Sequence, residues 1–169
     1  MSGEPIQEEE LLPLFEAARW APSSYNGQPW RFIVARKDTP SWETFLNLLI
    51  EFNRSWADKA AALVVICSHQ NFEFNNKPSI THQFDTGAAW ENLALEASHR
   101  GLVAHGMEGF DYEKARKELH IPPEYDVLAI VAIGKPGKKE ELSPALQERE
   151  VPSQRKPLKE ILFEGEFKE

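Results

Sequence analysis

The residues of this chain best suited to chemistry lie together in Ala17-Ala18-Arg19-Trp20-Ala21-Pro22-Ser23-Ser24-Tyr25-Asn26-Gly27-Gln28-Pro29-Trp30-Arg31-Phe32. Between an amphipathic run and an apolar one, the stretch holds two serines, an asparagine, a glutamine, a glycine and two prolines. Ser hydroxyls and Asn or Gln amides supply donors and acceptors without net charge. Such a set suits gripping the polar rim of a planar ligand. The same residues are also turn formers, and on composition alone a plain helix-to-strand connection is their commoner use.

Little else in the chain could carry a reaction. His69, His82, His99, His105 and His120 are scattered, and none stands with Cys, Asp or Glu at the spacing of a zinc or non-haem iron site. No metal is therefore expected. There is no Gly-x-Ser-x-Gly elbow, no P-loop and no Gly-x-Gly-x-x-Gly after a strand. With no protein side chain set up for covalent catalysis, any reactivity has to come from a cofactor. Cys67 is the single cysteine, which rules out an intrachain disulfide. It lies in the apolar run Ala60 to Ser68, where an inert buried thiol is expected.

The 169 residues, 41% hydrophobic and 27% charged, describe one globular domain with a sizeable core. A net charge of -8 argues against nucleic acid or an anionic membrane as partner. It leaves room for a local basic pocket. Met1-Ser2-Gly3-Glu4-Pro5 has neither the basic nor the apolar part of a signal peptide. No apolar stretch approaches membrane-spanning length, so a cytoplasmic protein is expected.

The elements that must position the loop follow from periodicity. Leu11, Phe15 and Ala18 make one apolar stripe on a first helix over 7–20, in which Pro13 marks either a start or a bend. Residues 31–35 form a strand. Thr39-Pro40 opens a helix carrying Trp42, Phe45, Leu46 and Leu49. Asn53-Arg54-Ser55-Trp56 then leads to a strand that is apolar on both faces, Leu63-Val64-Val65-Ile66, as a doubly covered central strand would be. Residues 70–79 are a polar loop. The longest helix, over 81–100, is rich in small residues and nearly apolar all round, which makes it the central helix and a subunit interface. A short strand over 102–104, a helix capped by Asp111 and a strand over 126–134 complete the core. The tail is charged and proline-punctuated. The alternation gives an α+β fold, a three-layer sandwich with a mixed sheet of four to five strands flanked by helices.

Several blocks, in order along nearly the whole chain, resemble the FMN-dependent nitroreductase family. Pro22-Ser23-Ser24-Tyr25-Asn26-Gly27-Gln28-Pro29-Trp30 is similar to its signature loop, and Asp85-Thr86-Gly87-Ala88-Ala89-Trp90-Glu91-Asn92-Leu93 to its central helix. His105-Gly106-Met107-Glu108-Gly109-Phe110-Asp111 resembles the segment beside the isoalloxazine. Pro152-Ser153-Gln154-Arg155-Lys156-Pro157-Leu158 resembles the phosphate-binding stretch, and Phe163-Glu164-Gly165 the closing segment. The resemblance implies a homodimer in which Pro22, Ser23, Ser24 and Asn26 contact FMN bound mostly by the other subunit. It also implies that Asn53 faces the pyrimidine edge, and that Glu108 and Gly109 offer backbone N–H groups near flavin N5 and O4. Arg155, with Lys156, would hold the phosphate, for which a guanidinium fork is well matched.

The family normally opens with a helix ending in Arg-Arg-Ser-x-Arg, and Met1-Ser2-Gly3-Glu4-Pro5 begins where that segment would finish. Either the chain starts late relative to the family or this member does without the segment. The expectation is a single domain over 1–169 without it. The implied activity is hydride transfer from NADH or NADPH, through flavin N5, to a flat electron-poor acceptor such as a nitroaromatic, quinone or activated alkene, with ping-pong kinetics. The alternative is a non-catalytic dimer of the same fold that binds flavin weakly or not at all.

Overall fold

A computed structural model describes residues 1–167, which divide into two compact units, 1–137 and the described residues from 138 onward. The first unit holds α1 (Glu8–Arg19), β1 (Trp30–Arg36), α2 (Trp42–Leu46), α3 (Glu51–Ala57), β2 (Ala62–His69), α4 (His82–His99), β3 (Val103–Met107), α5 (Tyr112–Glu118) and β4 (Tyr125–Gly134). Four strands form one sheet in the order β1-β2-β4-β3.

Successive residues of β2 point to opposite faces, and both faces are covered. Leu63, Val65 and Cys67 pack with Ala35, Ile130 and Ala132 under α2, α3 and α5. Ala62, Val64 and Ile66 pack with Val131 and Ile133 under α1 and α4. That is the expected three-layer sandwich. All three strand pairings are antiparallel, however, where a mixed sheet was expected. An apolar run on both faces reports that helices cover both sides of a strand; it carries no information about the direction of the neighbours.

Local differences have local reasons. α1 runs unbroken through Pro13, whose missing N–H costs only the bond to the carbonyl of solvent-exposed Glu9. Its first turn is closed by the Glu10 carboxylate, which accepts the Gln7 N–H at 3.0 Å. Residues 53–56, read from sequence as a lead-in, lie within the separate helix α3. β3 extends past Ala104 through His105 and Gly106 to Met107 because pairing with β4 carries it there. At Gly106 a Cβ would lie 3.4 Å from the Trp90 indole, so glycine lets that ring close over the strand. Among the described residues no helix is long and apolar enough to cross a membrane.

The second unit contains α6 (Pro144–Arg149), and residues 151–162 are all exposed.

Candidate functional site

The antiparallel order gathers four loops at one end of the sheet. Trp30, which opens β1, pairs with Ser68 near the end of β2, and Ser68 pairs with Asp126 at the start of β4. Met107, the last residue of β3, pairs with Ile130 of β4. The loops over 21–29, 70–81, 119–124 and 108–111 therefore share that end. The first and last lie on opposite edges, three strand spacings or about 14 Å apart.

On the β3 edge, Asn53, Glu108 and Gly109 come together. The Asn53 carboxamide donates to the Gly109 carbonyl at 3.0 Å, and the Ile50 N–H donates to the same oxygen at 3.1 Å. A Cβ on Gly109 would meet Asn53 Nδ2 and Ile50 Cδ1, each at 2.7 Å, so glycine lets both side-chain ends close on this backbone without shifting. The carbonyl of Gly109 is thus held inward twice. Among the described residues neither its N–H nor that of Glu108 meets a backbone carbonyl. Two successive donors without a backbone partner beside an anchored amide suit the acceptor edge of a planar heterocycle. Tyr112 stacks on Phe110 at 3.9 Å, and burial together with the Glu108 charge raises its phenol above the ordinary value.

On the β1 edge the signature loop is held from inside. Ser23 Oγ accepts the Gln28 N–H at 3.1 Å, and the Asp85 carboxylate accepts the Ser24 N–H at 3.0 Å. Among the described residues the Ser24 hydroxyl and the Asn26 carboxamide make no hydrogen bond, and Pro22 and Asn26 are exposed. Pro22, Ser23, Ser24 and Asn26 therefore form one group, on the opposite edge from Asn53, Glu108 and Gly109.

Arg155 and Lys156 belong to the second unit and are exposed. The Arg155 guanidinium turns onto its own segment, donating to Ser153 Oγ at 2.6 Å.

Sequence reasoning missed Asp85 as the anchor of the signature loop. An acid in the first turn of a helix, 61 positions away, gives only a general signal of helix stabilisation. It also missed Tyr25, whose ring meets Phe72 and Phe74 of the loop after β2.

Ser68, His82 and Asp126 fall in a line that invites comparison with a hydrolase triad. Ser68 is fully buried, lies 2.9 Å from His82 Nδ1 and from the His82 carbonyl, and accepts from Thr86 Oγ1 at 2.8 Å. His82 Nε2 stands 3.7 Å from Asp126, too far for a hydrogen bond. A hydroxyl enclosed in this way ties β2 to α4 and cannot attack a substrate.

A sequence model of the nitroreductase family matches residues 2–52 and 38–135. The chain belongs to that family. A crystal structure described as that of an oxidoreductase containing FMN superposes with a TM-score of 0.94, at 45% identity, over 99% of this chain and 86% of that one. A Streptomyces coelicolor relative, named provisionally as an NADH dehydrogenase/NAD(P)H nitroreductase, is 29% identical over 79% of this chain and 77% of its own length. An oxygen-insensitive NADPH nitroreductase of Helicobacter acinonychis is 44% identical over a shorter stretch, 36% of this chain and 28% of its own. As a nitroreductase-family member, the chain has the fold of its solved relatives.

Proposed function

We propose that this chain is an FMN-dependent oxidoreductase that works as a homodimer, taking a hydride from NADH or NADPH and passing it to a flat, electron-poor acceptor. The carrying observation is the pair of amides at Glu108 and Gly109 that, among the described residues, meet no backbone carbonyl, beside a carbonyl fixed by Asn53 and Ile50. FMN would supply the redox chemistry, that of a hydride carrier between the nicotinamide and a nitroaromatic, quinone or activated alkene in a ping-pong exchange. The residues of the chain bind and orient. Glu108 and Gly109 donate through their main chain, Asn53 faces the pyrimidine edge, and Pro22, Ser23, Ser24 and Asn26 close over the cofactor from the partner. Arg155, with Lys156, holds the phosphate once its guanidinium leaves Ser153. Similarity to an FMN-containing oxidoreductase and to NAD(P)H nitroreductases supports the reading.

Two features favour a dimer. The two loop groups are about 14 Å apart across the sheet, so one cofactor touching both is most simply shared between two chains. The outward face of α4 also carries Phe84, 80% exposed, and Leu95, 59% exposed, on either side of Gly87, whose surroundings are open. An obligate interface of about 2,000 Å² or more is expected. Sedimentation of a stable folded monomer at micromolar concentration would overturn it.

The second reading, a non-catalytic dimer with weak flavin binding, draws on the Arg155 guanidinium being engaged with its own segment. Titration of the purified chain with FMN, followed by NADH or NADPH under anaerobic conditions, separates the two. Stoichiometric binding and bleaching of the flavin colour support the oxidoreductase. FMN that fails to bind, or binds and is not reduced, supports the alternative.

A further inference from the structure

We propose that Asn26 is a site of spontaneous covalent modification: the Gly27 backbone nitrogen displaces the Asn26 side-chain amide, so the signature loop deamidates itself when it stands uncovered. The reaction needs only water. The Gly27 nitrogen bonds to Asn26 Cγ while ammonia leaves with the Gly27 N–H proton, which closes a succinimide ring. Water then opens that ring at either carbonyl and leaves aspartate or isoaspartate. One water is consumed, one ammonia is released, and nothing is oxidised or reduced.

The residues supply each requirement. Asn26 and Gly27 are the only Asn-Gly pair in the chain, and a glycine nitrogen is the least hindered that a backbone offers. The Asn26 carboxamide is exposed and, among the described residues, makes no hydrogen bond, so it is free to turn onto that nitrogen. Gln28 Nε2 donates to the Asn26 main-chain carbonyl at 3.2 Å. Negative charge reaches that oxygen when the Gly27 N–H gives up its proton, and a hydrogen bond to the charged form favours it.

The restraint on the nitrogen is slight. The Gly27 N–H donates to the Ser24 carbonyl at 2.9 Å, in a turn only three residues long, Ser24–Asn26. Tyr25 at φ 51 and Asn26 at φ 53 lie in the left-handed region, which is uncommon for a bulky side chain such as Tyr25. A turn of that kind opens locally at low cost. Nor does the fold readily accept another residue after Asn26. A Cβ at position 27 would stand 3.1 Å from the Phe72 ring and 3.1 Å from the Ser24 carbonyl oxygen.

Asn75 and Asn76 are controls within the same chain. Both are exposed, and Asn76 shares the left-handed backbone at φ 56. Their side chains are engaged, however: Asn75 Oδ1 accepts the Lys77 N–H at 2.9 Å, and Asn76 Oδ1 accepts from Asn71 at 3.3 Å. Neither precedes a glycine. Conversion of Asn26 puts a negative charge, or an extra backbone methylene, into a loop anchored by the Asp85 carboxylate. The consequence for cofactor rests on the FMN reading above, in which Asn26 closes over FMN: bound FMN shields the residue, and conversion weakens later binding.

The test is ageing of the full chain, free of FMN, at mildly alkaline pH, followed by peptide mass spectrometry and an isoaspartate assay. Asn26 should convert about tenfold faster than Asn75 or Asn76, or more. The aged chain should bind FMN about tenfold more weakly, as should Asn26→Asp. A parallel sample saturated with FMN should keep Asn26 intact. An unchanged Asn26, or conversion no faster than that of Asn75 and Asn76, would overturn the proposal. Equal conversion with and without bound FMN would overturn the shielding. Conversion with undiminished FMN affinity would uphold the modification and remove Asn26 from the cofactor. If the native chain takes up no FMN, the function proposed above fails, and isoaspartate at residue 26 of the unloaded chain then decides this site alone.

Discussion

The Asp85 carboxylate accepts the Ser24 backbone N–H at 3.0 Å, so the first turn of the central helix holds the loop before β1 in place. The same oxygen lies 3.2 Å from the Thr81 hydroxyl, and the residue is only 5% exposed. Asp85→Ala leaves a partly buried N–H without a partner and should cost about 1–3 kcal/mol, read from the urea midpoint. Asp85→Asn keeps an acceptor oxygen and should lose less. Equal stability of all three proteins would show that the bond holds nothing in place.

Gly109→Ala drives a methyl into Asn53 Nδ2 and Ile50 Cδ1. We expect about 1–3 kcal/mol of destabilisation, in the range of overpacked sites, and loss of FMN affinity. Asn53→Ala vacates half of that space, so the double variant should lose less than the sum of the singles. Strict additivity in denaturant unfolding would mean the two residues do not meet.

Cys67 should be silent to thiol reagents in the native protein. Burial pushes its thiol up to about 11, although the Arg116 charge pulls the other way. Ellman's reagent at mildly alkaline pH should find no reactive thiol in the native chain and one per chain in denaturant. Rapid native labelling would contradict its position in the core.

Asp126 sets an acid limb of stability. Burial works against its charge, but hydrogen bonds from Gln70 and Gln83, with His82 and Arg116 nearby, outweigh that and hold the carboxyl below the ordinary value of 3.8. A depressed carboxylate contributes stability that is fully present above 3.8 and is lost as pH falls through the lower folded value. The urea midpoint should therefore fall between about pH 5 and about pH 3 by more in the native chain than in Asp126→Asn. Identical acid limbs would remove Asp126 from the account.

Arg155→Ala should weaken FMN far more than Lys156→Ala. A charge-assisted contact of about 1.5–3 kcal/mol corresponds to roughly ten- to a hundredfold in affinity. Fluorescence titration giving both variants the same affinity would move the phosphate site elsewhere.

Apart from α3, the types of the main elements were legible from the residues alone. The stripe of Leu11 and Ala18, the small residues of α4 and the doubly apolar β2 and β4 are short-range patterns, and each reports the layer its own segment must cover. Blocks such as Pro22 to Trp30 and His105 to Asp111 also carried the family, because their residue types are local.

What the tertiary structure alone decided is which of these segments meet. Strand direction depends on how connections such as residues 37–61 fold back, and hydropathy does not record that. Asn53 reaches Gly109 across 56 positions and Asp85 reaches Ser24 across 61, through contacts that exist only once helices and sheet have packed. The contact of Tyr25 with Phe72 and Phe74 belongs with them. In sequence, Tyr25 is one aromatic in a turn and the phenylalanines are part of a polar loop. Only the side-by-side order of β1 and β2 brings the three rings to one end of the sheet.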